Sequence, residues 1–150
     1  QFSIELFNFL RPKDLNLQIA VSDKEGDVTF FYQKKFSQLN TTDKKIAEEN
    51  FQGKFHQRKV KCQTIKNILD NSKYKNKKID FLNIDLEGAD FEALKSLDFN
   101  IYRPKLICVE IYDEDIEKSN INLFLKDLEY TRKWSATFSH LYTDNLTDFN

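Results

Sequence analysis

The sequence predicts an α/β domain with a mixed, mostly parallel sheet and flanking helices, and three observations carry that reading. Helical and strand-like apolar patterns alternate along the chain. The most ordered stretch, Ile79 to Leu86, reads as a buried strand that Gly88 turns into a helix showing Phe91, Leu94 and Leu97. A second strand, Leu106 to Ile111, follows, and both strands run into acidic residues: Asp85 and Glu87 in the first, Glu110 in the second.

Composition bounds what such a domain can do. The 150 residues suit one domain, read as spanning 1–150. Hydrophobic residues at 40%, with 14 phenylalanines, supply enough apolar material for a core. A net charge of −1 creates no field to attract nucleic acid or an anionic membrane, so neither is expected as a partner. Apolar runs such as Leu106 to Val109 are far too short to span a bilayer, and no basic segment followed by an apolar run marks a signal peptide. Gln1 at the start and the lack of any methionine point to a fragment, a processed product or a trimmed chain. Cys62 and Cys108 form no C-x-x-C pair and read as buried free thiols, which fits a reducing, cytoplasmic setting.

The elements follow in order. Ser3 caps a first helix with Leu6, Phe7 and Leu10 at helical spacing, and Arg11-Pro12 ends it. Leu15 to Val21 alternates as a strand. Asp23 to Asp27 is a turn around Gly26, and Val28 to Tyr32 is a strand that the tight turn makes antiparallel to the one before it. Phe36 to Phe55 reads as a mobile surface segment, with a short helix capped by Asp43 through Ile46, Ala47 and Phe51 and stopped at Gly53. Lys59 to Gln63 is a short strand. Thr64 caps a helix presenting Ile65, Ile68 and Leu69, and Asn71 to Lys78 is a solvated lysine- and asparagine-rich loop. After the central strands, Asn120 caps a helix with Ile121, Phe124, Leu125 and Leu128 on one face. Trp134 to Phe138 and Leu141 to Tyr142 are strand-like.

Chemistry concentrates at the ends of the central strands, where open parallel sheets bind ligands. Alternation puts Leu82, Ile84 and Leu86 on an apolar face, and Phe81, Asn83, Asp85 and Glu87 on a face that becomes polar towards a cleft. Asp85 or Glu87 could equally cap the following helix, where an acidic group contributes up to about 1 kcal/mol. None of the three glycines, Gly26, Gly53 and Gly88, forms a phosphate loop. His56 and His140 are isolated and read as surface residues, so no metal site is expected.

The run Ile79-Asp80-Phe81-Leu82-Asn83-Ile84-Asp85-Leu86-Glu87-Gly88-Ala89-Asp90 resembles the signature strand of the FkbM methyltransferase family. Phe91 to Leu97 resembles the family's next helix, and Arg103-Pro104-Lys105-Leu106-Ile107-Cys108-Val109-Glu110 its next strand. Upstream, Ile19-Ala20-Val21-Ser22-Asp23-Lys24-Glu25-Gly26 is similar to its third strand and turn, and Leu39-Asn40-Thr41 to a short segment of some members. Asn83 departs from the lysine or serine more common there. The first strand, its glycine-rich loop and the second strand with its ribose-binding acid have no counterpart.

That resemblance implies a Rossmann-like class I methyltransferase fold, truncated at its N-terminus, with S-adenosylmethionine as methyl donor and a small-molecule or sugar hydroxyl as acceptor. By the same resemblance, Ser22 and Asp23 contact the adenine end of the cofactor. Asp85 lies near the donor methionine and the acceptor, and Glu87 and Glu110 flank the acceptor pocket. Asp85 or Glu87 is then the base that takes the acceptor proton, and Glu110 orients the acceptor. Without the glycine-rich loop, cofactor binding by this chain alone is expected to be weak or absent, and open sheet edges are expected to promote self-association. Two other readings stand beside this one: a non-catalytic remnant or interaction module of the same fold, and a different Rossmann-like enzyme that takes a nucleotide.

Overall fold

The computed structural model describes residues 2–34, 40–42 and 44–146; the proposed caps at Ser3 (its side chain) and Asp43, and the segment 35–39, lie outside that description. Contacts divide the chain into two compact units. One comprises residues up to Ala20 together with Gly26–Cys62, the other Val21–Glu25 together with the residues from Gln63 onward.

In the first unit, helix α1 (Phe2–Leu10) forms where apolar spacing predicts it. It leaves Phe9 and Leu10 80% and 63% exposed, so its apolar stripe is not a core face. The strand expected over Leu15 to Val21 shrinks to β1 (Ala20–Val21). The next strand, β2 (Gly26–Tyr32), pairs antiparallel with β3 (His56–Gln63) in the register Val28 opposite Val60 and Phe30 opposite Arg58. The sheet order is β1-β3-β2, which corrects the expected hairpin between the first two strands. The turn at Gly26 is real, with φ +138°, but the strand it leads into takes β3 as its partner. Helix α2 (Lys44–Asn50) buries Ala47, and Phe31, Ala47 and Phe51 form a small core with Phe55 against it. The described part of the segment expected to be mobile therefore contributes to packing.

The second unit carries the larger core. Helix α3 (Ile65–Asp70) starts at Thr64, whose hydroxyl accepts the Asn67 N–H at 3.0 Å. Strand β4 (Phe81–Ile84) leads through Gly88 to helix α4 (Asp90–Lys95), and β5 (Leu106–Glu110) follows. Helix α5 (Asn120–Asp127) is capped by Ser119, not Asn120: the Ser119 hydroxyl accepts the Asn122 N–H at 3.0 Å. The tail forms β6 (Tyr130–Ser135) and β7 (Ser139–Asp144).

These strands order as β4-β5-β7-β6. Only β4 and β5 are parallel; β7 runs antiparallel to both β5 and β6. The sheet is mixed as expected but not mostly parallel, because β6 and β7 are joined by a short turn, which permits only an antiparallel pair. One face is apolar. Ile84, Ile107, Val109, Tyr130 and Tyr142 pack with Leu94 of α4 and Leu125 of α5; each such buried aliphatic side chain contributes roughly 1.5–3 kcal/mol. The opposite face shows Phe81, 54% exposed. No helix among the described residues is long and apolar enough to cross a membrane.

Candidate active site

The parallel register between β4 and β5 builds the site. Ile84 is the partner of Val109, so Asp85, just past β4, and Glu110, the last residue of β5, stand side by side at the carboxyl end of the parallel pair. The chain then bends. Glu87 and Gly88 both take left-handed backbone angles, φ +51° and +96°. That conformation costs a non-glycine residue about 1–2 kcal/mol, and strain of this kind gathers at functional sites. The bend returns the Glu87 side chain towards β5. Carboxylate oxygens of Asp85, Glu87 and Glu110 all lie within 4.8 Å of one another.

Asp90 holds this bend from below. It is buried, and its carboxylate accepts the N–H groups of Leu86 at 3.3 Å and Gly88 at 3.2 Å. Burial raises its pKa above the ordinary carboxylate value, against the lowering effect of those N–H bonds. The helix-capping alternative for Asp85 and Glu87 is thereby resolved. Ala89 is the N-cap of α4 and makes no side-chain cap bond. Glu87 instead meets Tyr112.

Tyr112 is the residue that sequence reasoning missed. Its hydroxyl donates to Glu110 at 2.7 Å and lies 3.3 Å from a Glu87 oxygen, and its ring packs on Phe138 with centroids 4.9 Å apart. The hydrogen bond to Glu110 pushes the Tyr112 phenol well above its usual pKa, and the nearby carboxylates add to the shift. Tyr112 is thus a donor and not a base near neutral pH. Burial raises Glu110 above the ordinary carboxylate value; the Tyr112 bond opposes this, and the charges of Asp85, Asp90 and Glu87 reinforce it. A tyrosine just past a strand carries no motif. Its role appears only when Glu87 and Glu110 are known to face each other.

Ser22 and Asp23 are not part of this cluster. The Ser22 hydroxyl donates to Asp23 at 3.3 Å, and Asp23 forms an ion pair with Lys95 of α4 at 3.8 Å. Lys95 also lies over the Phe91 ring, 4.6 Å from its centroid. Three acidic oxygens at this separation are also an arrangement that can hold a hard cation, a possibility the histidine and cysteine spacing could not reveal. Neither cysteine is in a disulfide; Cys62 is buried and Cys108 half-buried, with the Cys108 thiol pushed up in pKa mainly by burial. His56 is exposed as expected. His140 corrects the surface expectation: it is wholly buried, because its position opposite Val109 turns it onto the core face.

The model of the methyltransferase FkbM domain matches residues 3–134, most of the chain. The chain belongs to the FkbM methyltransferase family. The match covers every residue of the acidic cluster, together with Ser22, Asp23 and Tyr112. No curated protein and no solved structure shows a significant match to this FkbM chain.

Proposed function

We propose that this FkbM domain serves an S-adenosylmethionine-dependent methyltransferase that methylates a hydroxyl of a small molecule or sugar. The observation that carries the proposal is the convergence of Asp85, Glu87 and Glu110 at the joined ends of two parallel strands. Their chemistry fits the cofactor: a compact set of carboxylates favours a positively charged sulfonium or ammonium group. When bound, S-adenosylmethionine supplies an electrophilic methyl group.

The chain's own residues have the remaining tasks. Asp85 or Glu87 accepts the proton of the acceptor hydroxyl, and Glu110 orients the acceptor by hydrogen bonding. Holding the acceptor in line is itself a large part of such a rate enhancement. The exposed Tyr112 and Phe138 rings stand beside the carboxylates, and an aromatic face next to hydrogen-bonding acids suits the CH and OH faces of a sugar-like acceptor. Ser22 and Asp23 would hold the adenine end of the cofactor, with Lys95 paired to Asp23 at 3.8 Å.

A second reading has its own observation. Gly26, Gly53 and Gly88 are the chain's three glycines, and none belongs to a glycine-rich cofactor turn. A domain that keeps the acidic cluster but only weak cofactor affinity is a non-catalytic interaction module. The discriminating experiment is methyl transfer from isotopically labelled S-adenosylmethionine to a panel of monosaccharides, with Asp85→Asn and Glu87→Gln as controls. Incorporation lost in at least one variant supports the enzyme. Incorporation that both variants retain in full removes the carboxylates from the mechanism.

A further inference from the structure

We propose that Tyr112 is a positioning residue that fixes Glu87 and Glu110 and leaves Asp85 as the one carboxylate of the three open to an incoming hydroxyl. The proposal rests on the reading of this cluster as the acceptor site, and it deepens that reading by separating the roles of its members.

The geometry makes the separation. A phenol has a single proton, and Tyr112 directs it chiefly to Glu110 at 2.7 Å, with Glu87 at 3.3 Å as the weaker partner of a three-centre arrangement. Glu110 and Tyr112 are two residues apart, and the Tyr112 hydroxyl reaches the Glu110 carboxylate directly. Glu87 comes from the other strand's end and reaches them only because its own backbone is left-handed. Phe138 packs on the Tyr112 ring and limits its rotation. The hydroxyl therefore bridges the ends of β4 and β5.

Asp85 has no such tie. Among the described residues its carboxylate takes part in no hydrogen bond or ion pair, although it lies within 4.8 Å of the other two. It is exposed, and it leaves β4 directly beside Glu110. The Tyr112 hydroxyl already engages Glu110 and Glu87, and it does not engage Asp85. An arriving hydroxyl thus meets two carboxylates already engaged with Tyr112 and one free to take its proton.

Carbon-13 NMR of the side-chain carboxylates in the full chain at one fixed pH tests this without any cofactor, so its outcome is separate from the methyltransferase reading. Tyr112→Phe keeps the ring against Phe138 and removes only the hydroxyl. The expected result is a change in the Glu110 carboxylate signal, a smaller change at Glu87, and at Asp85 less than half the change seen at Glu110. Phe138→Leu loosens the ring and should give part of the same shift. Unchanged glutamate signals in a folded Tyr112→Phe protein, or an Asp85 change as large as that of Glu110, would overturn the assignment. If the signals change as expected while excess S-adenosylmethionine leaves these carboxylates undisturbed, the clamp stands and the reading of the cluster as the methyl-transfer site falls.

Discussion

The carboxylate of Asp90 accepts the backbone N–H of Gly88 at 3.2 Å, from beneath the bend that presents Glu87. The same group accepts the Leu86 N–H at 3.3 Å, so one buried side chain satisfies two donors of a strained turn. Asp90→Ala should therefore cost about 1.5–3 kcal/mol, the range for hydrogen bonds to a charged group. Urea denaturation measures it. Asp90→Asn should recover part of the loss, because its amide oxygen can still accept.

Glu87 poses the opposite case. Its φ of +51° is one that glycine adopts without steric cost. Glu87→Gly relieves both the strain and a carboxylate repelled by Asp85 and Glu110. Glycine's greater freedom in the unfolded chain offsets some of that gain. The expected outcome is unchanged stability or a gain of up to about 1 kcal/mol by urea denaturation, together with loss of any methyl-transfer activity. A clear destabilisation would show that the Tyr112 contact outweighs the strain.

Much of this site was legible in the sequence. The run from Asp85 to Gly88, the following helix and the acidic end of the next strand lie where the apolar spacing and the acidic residues put them, because these signals are local. The Thr64 cap was equally readable. Other features depend on distant pairing. The partner of β2 is β3, some thirty residues away in the chain, and no nearby turn announces it. Tyr112 gained its role from a register between strands, and Ser119 took the cap from Asn120 by a shift of one residue. His140 looked like a surface residue because it is isolated and in no metal-ligand spacing; only its pairing with Val109 places it inside.

That buried histidine gives stability a pH dependence. Burial, aided by the charge of Arg132, lowers the His140 pKa below its ordinary value of 6.5. In the unfolded chain the group binds its proton near that ordinary value, whereas in the folded protein it stays neutral to lower pH. The stabilising contribution is thus complete above about pH 6.5 and is lost as the pH falls from there towards the folded-state pKa. Denaturation midpoints should fall over this window, and His140→Gln should flatten that limb whatever its absolute stability. A wild-type profile identical to that of the variant between pH 7 and 5 would remove His140 as the cause.

Strand β4 ends the four-stranded sheet, with β5 as its one strand neighbour among the described residues. Its other edge presents unpaired backbone groups next to the exposed Phe81. Concentration-dependent self-association is the expected outcome in sedimentation velocity. Asn83→Pro removes a backbone donor from the strand and should reduce association if that donor lies on the open edge. A monodisperse monomer at high concentration, with a sharp thermal transition, would count against an adhesive edge.

The central claim is that Asp85, Glu87 and Glu110 face the methyl donor and its acceptor. The most direct measurement is the carbon-13 NMR response of their carboxylates to S-adenosylmethionine, which detects even a Kd near 1 mM, or about −4 kcal/mol of binding. The account predicts saturable shifts at these three residues and at Asp23, weakened by Asp85→Asn. Carboxylate signals that stay fixed at several times that concentration, about 5 mM, or shifts confined to other parts of the chain, would contradict it.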